Sequence, residues 1–178
     1  MASQSRLGRQ IEEVVATLNA LGAPFALIGG LALASHNVVR ATQDVDLLTD
    51  ASRADDIDRA LVKLGYHCLH RSGDAGNYLR GDERLDFLYA SRPAARKLLS
   101  TAPERTTPFG PLHVISTEGL IAFKLQAWVN NPRRTQDLED IRALLRANRD
   151  TIDLGELREY FALFDRQALL DELLNEIR

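Results

Sequence analysis

The stretch that most constrains the fold is the junction at residues 25–37. A four-residue apolar run, Phe25 to Ile28, is closed by Gly29-Gly30, and the small and apolar residues LALASHN follow at once. A run of that length bounded by glycines predicts a short strand, and the segment after it a helix. A strand therefore ends at a glycine pair where a helix begins. Further on, Asp44 to Leu48 alternates acid and aliphatic before turning apolar, with β-branched Val45 between the acids, which predicts a second strand.

The flanking segments fix the class. Leu7, Ile11, Val14, Val15 and Leu18 recur at helical spacing from Arg6 to Leu21, and Gly22 and Pro24 stop the pattern. A helix from Ser52 to Leu64 follows the second strand, with Ser52 as its N-cap and Gly65 as its stop. Tyr66 to His70, Asn77 to Leu79 and Arg84 to Tyr89 are three further strands, separated by the turn formers Ser72-Gly73-Asp74 and Gly81-Asp82. Five strands among helices imply an α+β (mixed α/β) fold, a small mixed sheet flanked by helices. After Pro93 the chain reads as mainly helical, interrupted by a brief strand at Leu112 to Ile115 and by the Asn130-Asn131-Pro132 break. Ser116-Thr117-Glu118 starts one helix, and Arg133 to Arg146 and Leu154 to Ile177 supply the rest. The division expected is an α/β part at 1–92 and a helical part at 93–178, joined by a hinge or continuously.

Composition narrows the classes of function. With 178 residues, 45% of them hydrophobic and 26% charged, the chain suits one core with a small appendage, and two full domains would be crowded. No apolar run approaches the roughly 20 residues that span a bilayer, and the start MASQSRLGRQ lacks the apolar stretch of a signal peptide. A cytoplasmic protein without membrane contact is expected. The single Cys68 excludes an internal disulfide and a cysteine-rich zinc site. A net charge of −3 gives no global attraction to nucleic acid, so any such contact must be a local patch, for which Arg40, Arg80 and Arg84 are candidates.

The acids carry the chemistry. Side chains at i and i+2 of a strand share a face, so Asp44 and Asp46 present two carboxylates together while Val45 points into a core. Two such charges repel unless a cation sits between them, and Mg²⁺, or Mn²⁺, prefers oxygen ligands shared with substrate phosphates. Asp86 lies between Leu85 and Phe87 in another expected strand. If the two strands are neighbours, three carboxylates converge, enough for a two-metal arrangement with Asp86 as general base or as ligand of the hydroxyl-activating ion. Gly29-Gly30 at a strand-to-helix junction lets backbone N–H groups approach phosphate oxygens.

Each signal has an ordinary structural explanation, since Asp-x-Asp and Gly-Gly recur by chance. Their order and spacing are what give them weight. His36 is expected to be hydrogen-bonded or solvated rather than catalytic. His67 and His70 are expected on opposite faces of a strand, which argues against a shared metal. Asp55, Asp56 and Asp58 sit near a helix start, where negative charge suits the dipole. Leu169, Leu170, Leu173 and Leu174 form ordinary core or a dimer surface. Lys124, flanked on its helix by Leu120 and Trp128, has its stem on an apolar row and either snorkels outward or reaches into a cleft.

The run LIGGLALASHNVVRATQDVDLL followed by LDFL resembles the signature of the DNA polymerase beta-like nucleotidyltransferases. The Arg40-x-Thr42-x-Asp44 lead-in, together with STEGLIAFKLQAW and RRTQDLEDIRALL, is similar to the bacterial branch that includes the AbiEii toxins. The resemblance implies a nucleotidyltransferase-type twisted sheet, a nucleoside triphosphate as substrate, and transfer of its nucleoside monophosphate to a hydroxyl. It maps the phosphate seat onto Gly29 and Gly30, the metal-binding pair onto Asp44 and Asp46, and the third acid onto Asp86. Lys124 would contact the triphosphate, with Arg40, Thr42 and Asp137 as substrate or supporting residues. Gln136 departs from the pattern, in which an Arg often precedes the aspartate, and Arg134 lies close by. The implied acceptor is RNA such as tRNA, or a protein, with an antitoxin as partner. The alternatives are an aminoglycoside-like small molecule as acceptor, or a binding module without turnover.

Overall fold

The computed structural model of the chain describes residues 5–178, so the first four residues of the leading segment lie outside it. The chain divides into two compact units, residues 5–35 with Arg40–Ile115, and His36–Val39 with Ser116–Arg178.

In the first unit, α1 (Arg6–Ala20) begins at Ser5, whose side chain accepts a hydrogen bond from the Gly8 N–H. This satisfies one of the donors left open at a helix start. The helix buries Ile11, Val14 and Leu18 and ends before Gly22, which adopts φ 61°. There follow β1 (Phe25–Ile28), the short α2 (Gly29–Leu33), β2 (Val45–Asp50), α3 (Ala54–Lys63), β3 (His67–Arg71), β4 (Ala75–Arg80), β5 (Glu83–Ala90) and α4 (Pro93–Ser100). The hairpin β6 (Glu104–Thr107) and β7 (Gly110–His113) completes the unit.

The sheet order is β1-β2-β5-β4-β3, with β2 and β5 parallel and every other pair antiparallel. This is the mixed five-stranded sheet that the sequence implies. Register sorts the side chains into two faces. Val45, Leu47 and Thr49 pair with Leu85, Phe87 and Tyr89 on one face, all buried. Burying an aliphatic or aromatic side chain of this size contributes about 1.5–3 kcal/mol, so this face holds the unit together. Ile28, Asp46, Asp86 and Asn77 form a row on the other.

The structure corrects the sequence reading in several places. β2 begins at Val45, so Asp44 stands just before the strand and is exposed. Ser52 is not the cap of α3: a 3₁₀ turn over Ala51–Arg53 comes first, and the Asp50 side chain accepts from the Ser52 N–H. An irregularity between Cys68 and His70 pairs His67 with Leu79 and His70 with Asn77, which puts both histidines on one face rather than on opposite faces. One extra residue in a strand resets the alternation. β6 was not expected, because Glu104, Arg105 and Thr106 are exposed and carry no apolar alternation.

In the second unit, α5 (Thr117–Asn130) starts at Ser116, whose side chain accepts from the Gly119 N–H at 3.1 Å. α6 (Thr135–Ala147), α7 (Leu154–Leu163) and α8 (Gln167–Glu176) follow. Asp165, at φ 53°, separates α7 from α8 and breaks the single helix expected over 154–177. Leu120, Ile121, Leu125, Ile141, Leu144, Leu157, Phe161, Leu170 and Leu173 are the core. His36 is buried here, its Nδ1 2.9 Å from Thr117 Oγ1, and its carbonyl accepts from Asn148 Nδ2. Hydrogen-bonded histidine is the role expected of it. Among the described residues no helix is long and apolar enough to cross a membrane.

Candidate active site

Asp46 and Asp86 are register partners on the adjacent parallel strands β2 and β5. Strands in a sheet lie about 4.8 Å apart, and register partners share a face, so two half-buried carboxylates stand side by side. At a separation of about 5 Å two such charges repel by about 3 kcal/mol in an effective dielectric of about 20. Asn77 Nδ2 donates to Asp86 Oδ1 at 2.8 Å from the opposite side, which offsets part of that cost. Among the described residues no three His, Cys, Asp or Glu side chains are grouped to hold a metal ion. The expected three-carboxylate convergence is thus reduced to the pair Asp46–Asp86, with Asp44 outside the strand. Two carboxylates still fit a hard divalent cation, because Mg²⁺ is usually held by one or two acids and completed by substrate phosphates and water.

The glycines explain why this pair sits where it does. Gly29 has φ 67°, and a β-carbon there would lie 2.6 Å from Asp46 Cγ. Only a residue without a side chain lets the backbone pass so close to the acid. α2 starts at Gly29 with no side-chain cap. A β-carbon at Gly30 would be 3.0 Å from the Thr42 side chain, so Thr42 packs directly on the second glycine. Arg40 is exposed in the segment leading to Asp44.

Lys124 is placed by the second unit. It is buried on α5, and its Nζ lies 2.7 Å from Asp140 Oδ2 and 3.5 Å from Asp137 Oδ1, both on α6. The ammonium expected on a triphosphate is therefore paired within its own helical hairpin. Arg134 Nε reaches Asp137 Oδ2 at 2.6 Å, and Gln136 Nε2 donates to Asp140 Oδ1 at 2.9 Å. Arg134 thus supplies a cation to Asp137 although Gln136 occupies the position where an Arg often stands. Asp140 and Asn77 were missed by sequence reasoning. The RRTQDLEDI pattern, with Asp140 one turn after Gln136 on α6, was the available signal for the first. Nothing in the sequence marks Asn77, because its importance arises from strand pairing.

The basic patch also changes. Arg80 gives Nε to Glu83 at 2.7 Å and NH2 to Glu13 at 2.6 Å, donates NH1 to the Leu64 carbonyl, and lies 4.5 Å from the Tyr66 ring centroid. Its charge is balanced by two glutamates of the same unit.

The fold that carries these acids and the glycine junction is similar to that of nucleotidyltransferases of solved structure. The family described as Aminoglycoside-2''-adenylyltransferase matches residues 10–75, which span the glycine pair and the Asp-x-Asp. The chain is similar to the solution structure of the antibiotic-resistance factor ANT(2'')-Ia, with 19% identity, TM-score 0.70 and coverage of 96% of this chain and 97% of that one. It is also similar to the crystal structure of ANT(2'')-Ia in complex with adenylyl-2''-tobramycin, at 18% identity, TM-score 0.66 and coverage of 92% and 99%. The lincomycin-bound lincosamide antibiotic adenylyltransferase LnuA shares 15% identity and a TM-score of 0.57 over 76% of this chain and 94% of that one. A comparison with curated protein sequences finds no match.

Proposed function

We propose that the chain is a nucleotidyltransferase, dependent on a divalent cation, that moves a nucleoside monophosphate from a nucleoside triphosphate to a hydroxyl of a small molecule. The observation that carries this reading is the register pair Asp46–Asp86 set against Gly29. Asp46, with Asp44 beside it in sequence, would hold Mg²⁺ or Mn²⁺, which when bound would neutralise charge on the phosphates. Asp86 takes the proton from the acceptor hydroxyl as its oxygen bonds to the α-phosphorus. The bond from that phosphorus to the bridging oxygen breaks, and pyrophosphate leaves with the electron pair. Backbone N–H groups at Gly29 and Gly30 seat phosphate oxygens, and Thr42 braces that turn. Lys124 and Asp137 act in this reading by fixing α5 on α6.

A small hydroxylated acceptor is favoured by the comparisons. The matching family is described by an aminoglycoside activity, and the similar structures hold adenylylated tobramycin or lincomycin. An RNA or protein acceptor with an antitoxin partner has less behind it, since Arg80, a member of the expected basic patch, is committed to Glu13 and Glu83.

The test is pyrophosphate release with each α-labelled nucleotide, Mg²⁺ or Mn²⁺, and separate pools of aminoglycosides, lincosamides and total tRNA. Label on a small-molecule pool, lost in Asp86→Asn, is the expected result. Label retained on tRNA overturns the acceptor class, and no release with any pool overturns the enzyme.

A further inference from the structure

We propose that Asn77 is a positioning residue for Asp86, holding one carboxylate oxygen so that the other faces the acceptor hydroxyl; this rests on the function proposed above. Backbone pairing to β2 on one side and β4 on the other fixes where the Asp86 backbone lies. It does not fix the carboxylate, which still turns about its own side-chain bonds. The neighbours in the row decide that rotation. Asp46 lies on one side and Asn77 on the other. An ionised carboxylate can only accept, so Asp46 offers Asp86 no donor, whereas the Asn77 amide does. The contact from Asn77 Nδ2 to Asp86 Oδ1 measures 2.8 Å and is part-buried. With Oδ1 held by that donor, Oδ2 is the oxygen left for the hydroxyl proton.

The choice of residue supports the same conclusion. Asn is disfavoured in strands, where β-branched and aromatic side chains pack better. β4 nonetheless carries Asn at the one position in register with Asp86, between buried Gly76 and buried Tyr78. Removing a partner that orients a reacting group typically lowers activity about 10–100-fold without touching substrate.

The experiment uses the full chain with Asn77→Leu, Asn77→Asp and Asn77→Gln. Leu keeps the volume and removes the donor; Asp keeps the shape and removes the donor; Gln keeps the donor. The expected result is a fall in kcat of about 10–100-fold for Leu and Asp, with the nucleotide KM within about threefold of the parent, and partial recovery with Gln. Nuclear magnetic resonance of the Asn77 side-chain amide supplies a readout independent of turnover. One of its protons should exchange slowly in the parent protein and lose that protection in Asp86→Ala. Unchanged kcat in a folded Leu or Asp variant, Gln no better than Leu, or an amide proton indifferent to Asp86→Ala overturns the proposal. If the parent releases no pyrophosphate with any acceptor, the proposed function fails, and the amide protons alone decide whether Asn77 holds Asp86.

Discussion

Gly29 and Asp46 approach so closely that a β-carbon on the glycine would lie 2.6 Å from Cγ of the aspartate. Gly29→Ala therefore meets two penalties, a left-handed backbone that costs an L-residue about 1–2 kcal/mol and a clash that must displace the carboxylate. The expected outcome is a loss of about 1–3 kcal/mol in urea unfolding together with a loss of pyrophosphate release of about 100-fold or more. A variant with parental turnover would mean that Asp46 need not stay where it is.

Lys124 and Asp140 test what the lysine does. Lys124→Met takes the ammonium away from buried Asp140, while Asp137 keeps Arg134, and should cost about 3–5 kcal/mol, because an undercompensated buried charge is expensive. Lys124→Met with Asp140→Leu should recover most of that, since a matched apolar pair replaces a buried ion pair at little cost. Chemical denaturation of the two single variants and the double closes the cycle. A single variant as stable as the parent would show that the pair contributes nothing in solution.

Arg80→Lys should not behave as a conservative change. The guanidinium serves Glu13, Glu83, the Leu64 carbonyl and the Tyr66 ring at once, and an ammonium cannot reproduce that fork. Its side chain is partly solvated, so the expected cost is about 1–2 kcal/mol, read as a lowered Tm. Affinity for tRNA, measured by filter binding, should be the same in Arg80→Ala and the parent. Weakened binding would reopen the nucleic-acid reading.

Asp50 provides a pH signature. Hydrogen bonds from Ser52, the backbone N–H first, hold its carboxyl below the usual carboxylate range. A folded-state value below the unfolded one means that the stabilisation is complete above the unfolded value near pH 4 and disappears as pH falls through the lower folded value. Asp50→Ala should cost about 1 kcal/mol at pH 7, as removal of a capping acceptor does, and the difference from the parent should shrink on acidification below pH 4. A gap independent of pH would assign the effect to packing instead.

Much of the secondary structure is legible in the chain because its signals are local. Phe25–Ile28 is a strand by its apolar run, Gly29 is a glycine because the chain turns there with positive φ, and Ser116 caps α5 through a neighbour three residues on. Such features need only a few adjacent residues, so spacing reveals them. The histidines of β3 show where locality ends: alternation separates His67 from His70, and a bulge imposed by pairing with β4 returns them to one face.

The sequence by itself determined the acid pair, the glycine junction and the mixed α+β class. Only the tertiary structure decided which acids meet. Asp44 and Asp46 are two residues apart, but Asp46 finds its partner in Asp86, forty residues further on, because β5 rather than β4 lies parallel beside β2. Likewise only folding shows that Lys124 faces Asp140 and Arg80 faces Glu13. The reason is physical: side-chain type and short spacing fix what a segment can do, whereas strand order and helix packing bring distant residues within the few ångströms over which charges and hydrogen bonds act.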